Sequence, residues 1–215
     1  MLKNIFYINL EHRTDRKAHV ESELAKMGWT DYTRFNAIKL NDGRVGCSMS
    51  HLKILKMARE MDLDYVTIIE DDIEFTNPEK YKLMLKAFFK KNLDYDVFLL
   101  AGNIRKPITK VDGFAYRVQK SFTTTGYVVK KHYYDKLITN IENGITQLLK
   151  YPDKHGHFAI DTYWMNLQKV DNWLILIPRT VTQYTDYSDI EERDVNYSRL
   201  MLDNMNDKKL KMQFS

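Results

Sequence analysis

The sequence predicts an α/β fold with a mainly parallel central sheet. Two observations carry this. Through the first hundred residues, short continuous apolar runs alternate with stretches of helical spacing. The runs are apolar throughout, as in strands covered on both faces. A third observation bears on organisation: the 215 residues contain no internal repeat and no Pro-rich spacer. They are therefore expected to form one domain over 1–202, followed by a polar tail at 203–215.

The elements follow in order. Ile5-Phe6-Tyr7-Ile8 reads as a buried strand ending at Asn9-Leu10. Thr14 or Asp15 offers an N-cap to a helix carrying Val20, Leu24 and Met27, which Gly28 stops. A short strand is expected at Arg34-Phe35-Asn36-Ala37 and a turn at Asn41-Asp42-Gly43. Ser48 can cap a second helix with Leu52, Leu55 and Ala58. Tyr65-Val66-Thr67-Ile68-Ile69 is the next buried strand, terminating in Glu70-Asp71-Asp72. Pro78 opens a third helix, and Val97-Phe98-Leu99-Leu100 forms a strand closed by Ala101-Gly102. The second half is less regular. Strands are expected at 114–118, 124–129 and 173–177, a helix at 131–141, and a loop leading into a helix at 157–169.

Composition narrows the function classes. Hydrophobic residues make up 44%, aromatic residues 13% and charged residues 29%, as in an ordinary folded protein. The net charge of +4, from 33 basic and 29 acidic residues, gives no reason to expect a nucleic-acid partner. One cysteine, Cys47, permits no intrachain disulfide and argues against a Cys-based zinc site. No apolar run reaches the ~20 residues that span a bilayer. The first residues lead directly into a strand-like run too short for a secretory signal, so a cytoplasmic location is expected. No GxGxxG, Walker or HExxH pattern occurs.

Four segments can carry chemistry. In Glu70-Asp71-Asp72, three carboxylates follow a buried strand, where ligands of open α/β sheets bind. Alternate residues of an extended segment point the same way, so Glu70 and Asp72 can share Mg²⁺ or Mn²⁺ with a diphosphate. A solvated acidic turn has the same composition. Asn9 through Arg16 opens the first helix, where backbone N–H groups attract anions and Arg13 and Arg16 can reach a phosphate. A capped surface helix with exposed arginines is the other reading. Gly46-Cys47-Ser48-Met49-Ser50-His51 offers close backbone approach at Gly46 and polar contacts from Ser50 and His51, or else a structural histidine and a buried cysteine. Ile160-Asp161-Thr162-Tyr163-Trp164 sets a carboxylate, able to take a proton from a hydroxyl, beside aromatic faces on which a sugar can stack. It can equally be a helix cap with core aromatics. His155 and His157 are further candidate metal ligands or simple loop residues.

In this order and spacing the segments resemble the family 25 glycosyltransferases. The matching stretches are 5–10 with 13–16, 46–52 and 68–73, then Thr124-Thr125-Gly126-Tyr127-Val128-Val129, Ile160-Asp161, and Gln183 with Ser188-Asp189-Ile190. The resemblance implies a GT-A type, Rossmann-like fold, with a nucleotide-sugar half at about 1–102 and an irregular acceptor half at about 103–202. It implies a UDP-hexose donor carrying galactose or glucose, a glycan or glycoprotein acceptor, Mn²⁺ or Mg²⁺ as cofactor, and transfer with inversion. It places Glu70 and Asp72 at the metal, with Asp71 as an alternative ligand. Asn9, Arg13, Arg16, Gly46, Ser50, His51, Glu70 and Asp71 fall near the nucleotide, and Asp161 is the expected base. One departure is the connection at 38–45, much shorter than in many members; it bears on donor choice and keeps open a non-catalytic binding module. A nucleotide-sugar hydrolase using the same metal is a third reading.

Overall fold

The structure is a computed structural model and describes residues 2–202; the tail expected at 203–215 lies outside them. The chain runs β1 (Ile5–Asn9), α1 (Thr14–Met27), β2 (Tyr32–Asn36), α2 (Gly43–Glu60), β3 (Tyr65–Glu70), β4 (Ile73–Phe75), α3 (Pro78–Lys90) and β5 (Val97–Leu99). It continues through β6 (Asn103–Ile104), β7 (Ile108–Asp112), β8 (Ala115–Val118), β9 (Ser121–Phe122), β10 (Gly126–Lys130) and α4 (Tyr134–Lys150). Three one-turn helices follow: α5 (His155–Phe158), α6 (Ile160–Tyr163) and α7 (Met165–Gln168). The last elements are β11 (Trp173–Leu176), β12 (Val181–Gln183), β13 (Asp186–Ser188), β14 (Arg193–Val195) and α8 (Ser198–Met201).

Eight strands form one sheet in the order β2-β1-β3-β10-β5-β11-β8-β7. The pairs β1/β2, β1/β3 and β5/β11 are parallel. Only β8 and β10 run against the other six, so the sheet is mixed but mainly of one direction. The α/β expectation is met. Strand β10, from the second half of the sequence, sits between β3 and β5 of the first, so no break in the sheet falls near residue 102.

Side-chain alternation divides the core into two layers. Ile5, Tyr7 and Ile69 pack with Val20 and Leu24 of α1 and Met84, Leu85 and Phe88 of α3. Phe6, Ile8, Val66 and Ile68 pack on the other face with Ile54, Leu55 and Ala58 of α2 and Leu137, Ile138 and Ile141 of α4. Every residue of β1 is buried.

Several elements differ from expectation. Helix α1 has Arg13 at its N-cap and no side-chain cap. Gly28 closes it in the left-handed region at φ +71°, with its N–H on Ala25 O and that of Trp29 on Leu24 O. Helix α2 starts five residues before Ser48: Asp42 caps it by accepting from Arg44 N at 2.9 Å, so the Asn-Asp-Gly turn doubles as a cap. Ser48 instead donates to Arg44 O within the helix, at 2.8 Å. The helix read at 131–141 extends to Lys150. Strands β4 and β12, unseen in the sequence, pair antiparallel beside the acidic turn. Phe75 N of β4 donates to Glu23 Oε2 of α1 at 2.8 Å, a long-range anchor for a three-residue strand.

Candidate functional site

Glu70 ends β3 in the middle of the sheet and faces α2. Its Oε1 accepts from Thr124 Oγ1 at 2.8 Å and Cys47 Sγ at 3.6 Å, and lies 3.2 Å from His51 Nε2. His51 is fully buried, and its Nδ1 sits 2.9 Å from the Tyr127 hydroxyl. Burial alone would raise the Glu70 pKa, but the hydrogen bond from His51, with those from Thr124 and Cys47, leaves it below the ordinary value. Burial, then the charges of Glu70 and Asp161, push the Cys47 thiol well up. Cys47, His51 and Glu70 lie close enough to suggest a soft-metal trio. Hydrogen bonds from Cys47 and His51 to Glu70 link the three.

The chain turns after Glu70, so strand alternation ends there. The expectation that Glu70 and Asp72 face one target by alternation is therefore corrected. Asp71 and Asp72 turn toward α1 and β12. Asp71 accepts from Asn9 Nδ2 at 2.7 Å and Arg16 Nη1 at 3.2 Å. Burial raises the Asp71 pKa against these bonds. Asp72 Oδ2 accepts from Gln183 Nε2 at 2.8 Å, with Arg16 Nη1 at 3.9 Å. Burial, then the nearby charges of Glu70 and Asp71, push Asp72 well above the usual carboxylate range. Asp72 Oδ1 and Gln183 Oε1 are buried without a hydrogen-bond partner among the described residues. Two hard oxygens lacking donors suit a Mg²⁺- or Mn²⁺-type cation, so these residues fit the implied metal.

The expected phosphate arginines are occupied by the chain itself. Arg13 donates to Asp189 Oδ2 at 2.5 Å, Asp186 Oδ2 at 2.6 Å and Asp15 Oδ2 at 2.8 Å. Its hydrogen bond lowers the Asp15 pKa to about 2. Arg16 bridges Asp71, Asp186 and the Tyr187 carbonyl, the last at 2.8 Å. Both arginines thus tie α1 to the hairpin β13–β14. Asn9 is fully committed as well: besides Asp71, its amide donates to Arg13 O at 3.0 Å and accepts from Arg34 Nε at 3.0 Å.

Gly46 and Ser50 serve the fold. A Cβ on Gly46 would lie 2.3 Å from Ile38 O, so the close approach is made by the connection at 38–40. Ser50, fully buried, donates to Gly46 O at 2.8 Å and accepts from Ile38 N at 2.9 Å. Next to this connection, beyond the carboxyl ends of β1 and β2, a cavity of about 240 Å³ is lined by Leu10, Glu11, His12, Asn36, Ala37 and Lys39.

Asp161 lies in the first turn of α6 and accepts from Thr123 N at 3.2 Å. Thr123 holds φ +72°, a backbone conformation unfavourable for a β-branched residue. Burial, with the Glu70 charge adding, raises the Asp161 pKa. Trp164 cannot offer a face to a sugar: it is fully buried, edge-on to Tyr127 and Trp173 at 5.3 and 5.0 Å. Tyr163 packs against Gly144. His155 and His157 are exposed and belong to no metal-binding group found among the described residues. Sequence reasoning assigned no role to Thr124, Tyr127, Gln183 or Asp186. The first three lie in segments that carried the family resemblance; Asp186 had no local signal.

The profile of Glycosyltransferase family 25 (LPS biosynthesis protein) matches residues 39–152, just over half the chain. The chain belongs to glycosyltransferase family 25. It is also similar to procollagen galactosyltransferase 2 of Homo sapiens, 27% identical over 111 residues, which cover 48% of this chain and 18% of that protein. This family 25 chain therefore aligns with less than a fifth of its curated relative. Among solved structures, UDP-glucose pyrophosphorylase complexed with UDP-glucose is 9% identical with a TM-score of 0.48, over 98% of this chain and all of the other. A glycosyltransferase involved in glycosylation of the PBCV-1 major capsid is 10% identical with a TM-score of 0.42, over 81% and 91%. No functional reading rests on similarity at that level. No helix among the described residues is long and apolar enough to cross a membrane.

Proposed function

We propose that this chain is an inverting, metal-dependent glycosyltransferase moving galactose or glucose from a UDP-sugar to a hydroxyl of a glycan or glycoprotein. The observation that carries the reading is the buried pair of oxygens without a hydrogen-bond partner among the described residues, Asp72 Oδ1 and Gln183 Oε1, in a family 25 chain. Asp72 and Gln183 would hold the cation, with Glu70 adjoining. When bound, the cation neutralises charge on the departing diphosphate. Arg16, already beside Asp71 and Asp72, exchanges its Asp186 contact for a phosphate oxygen. The cavity beyond β1 and β2 suits the nucleoside end of the donor. Asp161 takes the proton of the acceptor hydroxyl; a buried carboxylate with a raised pKa is the stronger base once ionised. The hydroxyl oxygen then bonds to the anomeric carbon as the bond to the diphosphate oxygen breaks, inverting that carbon.

The test is UDP release from UDP-galactose and UDP-glucose with acceptor, under Mn²⁺ or EDTA. Turnover lost with EDTA and with Asp72→Ala is expected. Turnover indifferent to both would sink the reading. UDP binding without turnover on any acceptor would favour a non-catalytic module, and full-rate release of free sugar would favour a hydrolase.

A further inference from the structure

Behind the acidic turn lies a buried polar chain that the transfer chemistry leaves unused. Tyr127 of β10 is fully buried, and its ring stacks on His51 at 5.6 Å and 23°. The His51 imidazole spans the gap from the Tyr127 hydroxyl at 2.9 Å to Glu70 Oε1 at 3.2 Å. Thr124 and Cys47 approach that same oxygen. Three neighbours therefore converge on Oε1, while no hydrogen bond to Oε2 is found among the described residues.

We propose that His51 and Tyr127 are positioning residues that hold Glu70 with Oε1 saturated and Oε2 left for the donor complex. This rests on the transferase reading above. The proton inventory follows from the neighbours. Thr124 and Cys47 already donate to Oε1, so that oxygen acts as an acceptor toward His51 as well, and His51 Nε2 carries the proton it donates. Nδ1 is then the acceptor, and the phenol donates to it. A doubly protonated His51 would leave the Tyr127 hydrogen without an acceptor in a fully buried pocket, which is costly. His51 thus presents Nε2–H to Glu70, held in that tautomer by its far-side hydrogen bond. The arrangement serves the same purpose as the outer partners of metal-site residues, whose loss typically costs about 10–100-fold in metal affinity or activity.

Two measurements on the full chain decide it. In ¹⁵N-histidine-labelled protein, His51 should show a proton on Nε2 and none on Nδ1; a proton on Nδ1, alone or with Nε2, would overturn the assignment. Tyr127→Phe, His51→Gln and His51→Ala are then compared for kcat, donor KM and Mn²⁺ half-saturation, with near-ultraviolet circular dichroism as the folding check. Folded His51→Ala is expected to lose roughly 10–100-fold in kcat or Mn²⁺ affinity. His51→Gln should recover part of this, because its amide nitrogen restores the donor to Glu70. Tyr127→Phe, which removes one hydroxyl and little volume, should show a several-fold loss with donor KM nearly unchanged. Wild-type rates in folded Tyr127→Phe and His51→Gln would overturn the positioning role. An inactive wild type that binds neither UDP nor Mn²⁺ would instead overturn the transferase reading beneath it, and the tautomer measurement separates the two failures.

Discussion

The two flanks of the acidic turn are built oppositely. On the Glu70 side the neighbours are Thr124, Cys47 and His51, held by α2 and β10. On the Asp71–Asp72 side they are Arg16 of α1, Asn9 of β1 and Gln183 of β12. The Glu70 carboxylate is saturated at one oxygen and held below the ordinary pKa. The second flank keeps a cation nearby and still leaves Asp72 short of donors, with its pKa pushed well up. On one flank the fold itself supplies the partners of an acceptor oxygen, while on the other two buried oxygens have none among the described residues. The same contrast separates the arginine contacts, already filled by Asp186 and Asp189, from the cavity beside Lys39.

The sharpest way to break this contrast is Asp72→Ala. Metal-assisted turnover should fall at least ~100-fold, since a bound cation supplies several kcal/mol to the charged transition state. Steady-state rates across a Mn²⁺ titration measure it, and an unchanged rate would remove the Asp72 flank from the mechanism.

Next comes Asp161→Asn, expected to lower turnover by about 10²–10⁴-fold, the range for a general base. Stability should move the other way. Asp161, Asp71 and Asp72 have pKa values raised on folding. Between the ordinary carboxylate value and the raised folded one, the folded state binds more protons than the unfolded state. Ligand-free stability therefore falls as pH rises through that window. Melting temperatures from acidic to neutral pH should show the fall, and Asp161→Asn should lessen it by removing one contributor. A variant melting below wild type at neutral pH would contradict this.

Gly46→Ala tests the Glu70 flank from behind. A methyl 2.3 Å from Ile38 O cannot be seated without moving backbone. Denaturant unfolding should report a loss of roughly 1–3 kcal/mol, as for overpacked interiors. The smallest effect belongs to Arg13→Ala. Amide exchange should quicken across the hairpin β13–β14, which Arg13 ties to α1 through Asp186 and Asp189, while β1 and β3 keep their protection. Unaltered hairpin exchange would mean that Arg16 alone holds it.

Much of the fold was legible because its signals are local. Apolar runs marked β1, β3 and β5, and Gly28 and Pro78 marked helix ends. The acidic turn was legible as a candidate site because its three carboxylates directly follow a buried strand, where ligands of open α/β sheets bind. Strands β4 and β12 were not, since three residues carry no usable periodicity and each exists through the other. Asp42 was missed as a cap because its turn signal hid it. Trp164 read as a sugar platform because local sequence cannot tell a core indole from a surface one.

By itself the sequence determined the α/β class, the family, and the order in which Asn9, Arg16, His51, Glu70 and Asp161 come along the chain. It could do so because periodicity and motif are properties of neighbours. Only the tertiary structure decided which way each carboxylate faces, that Gln183 meets Asp72 across 111 positions, and that Tyr127 backs His51 across 76. Those contacts depend on where the sheet register and a single turn after Glu70 bring distant segments, and no local pattern encodes that.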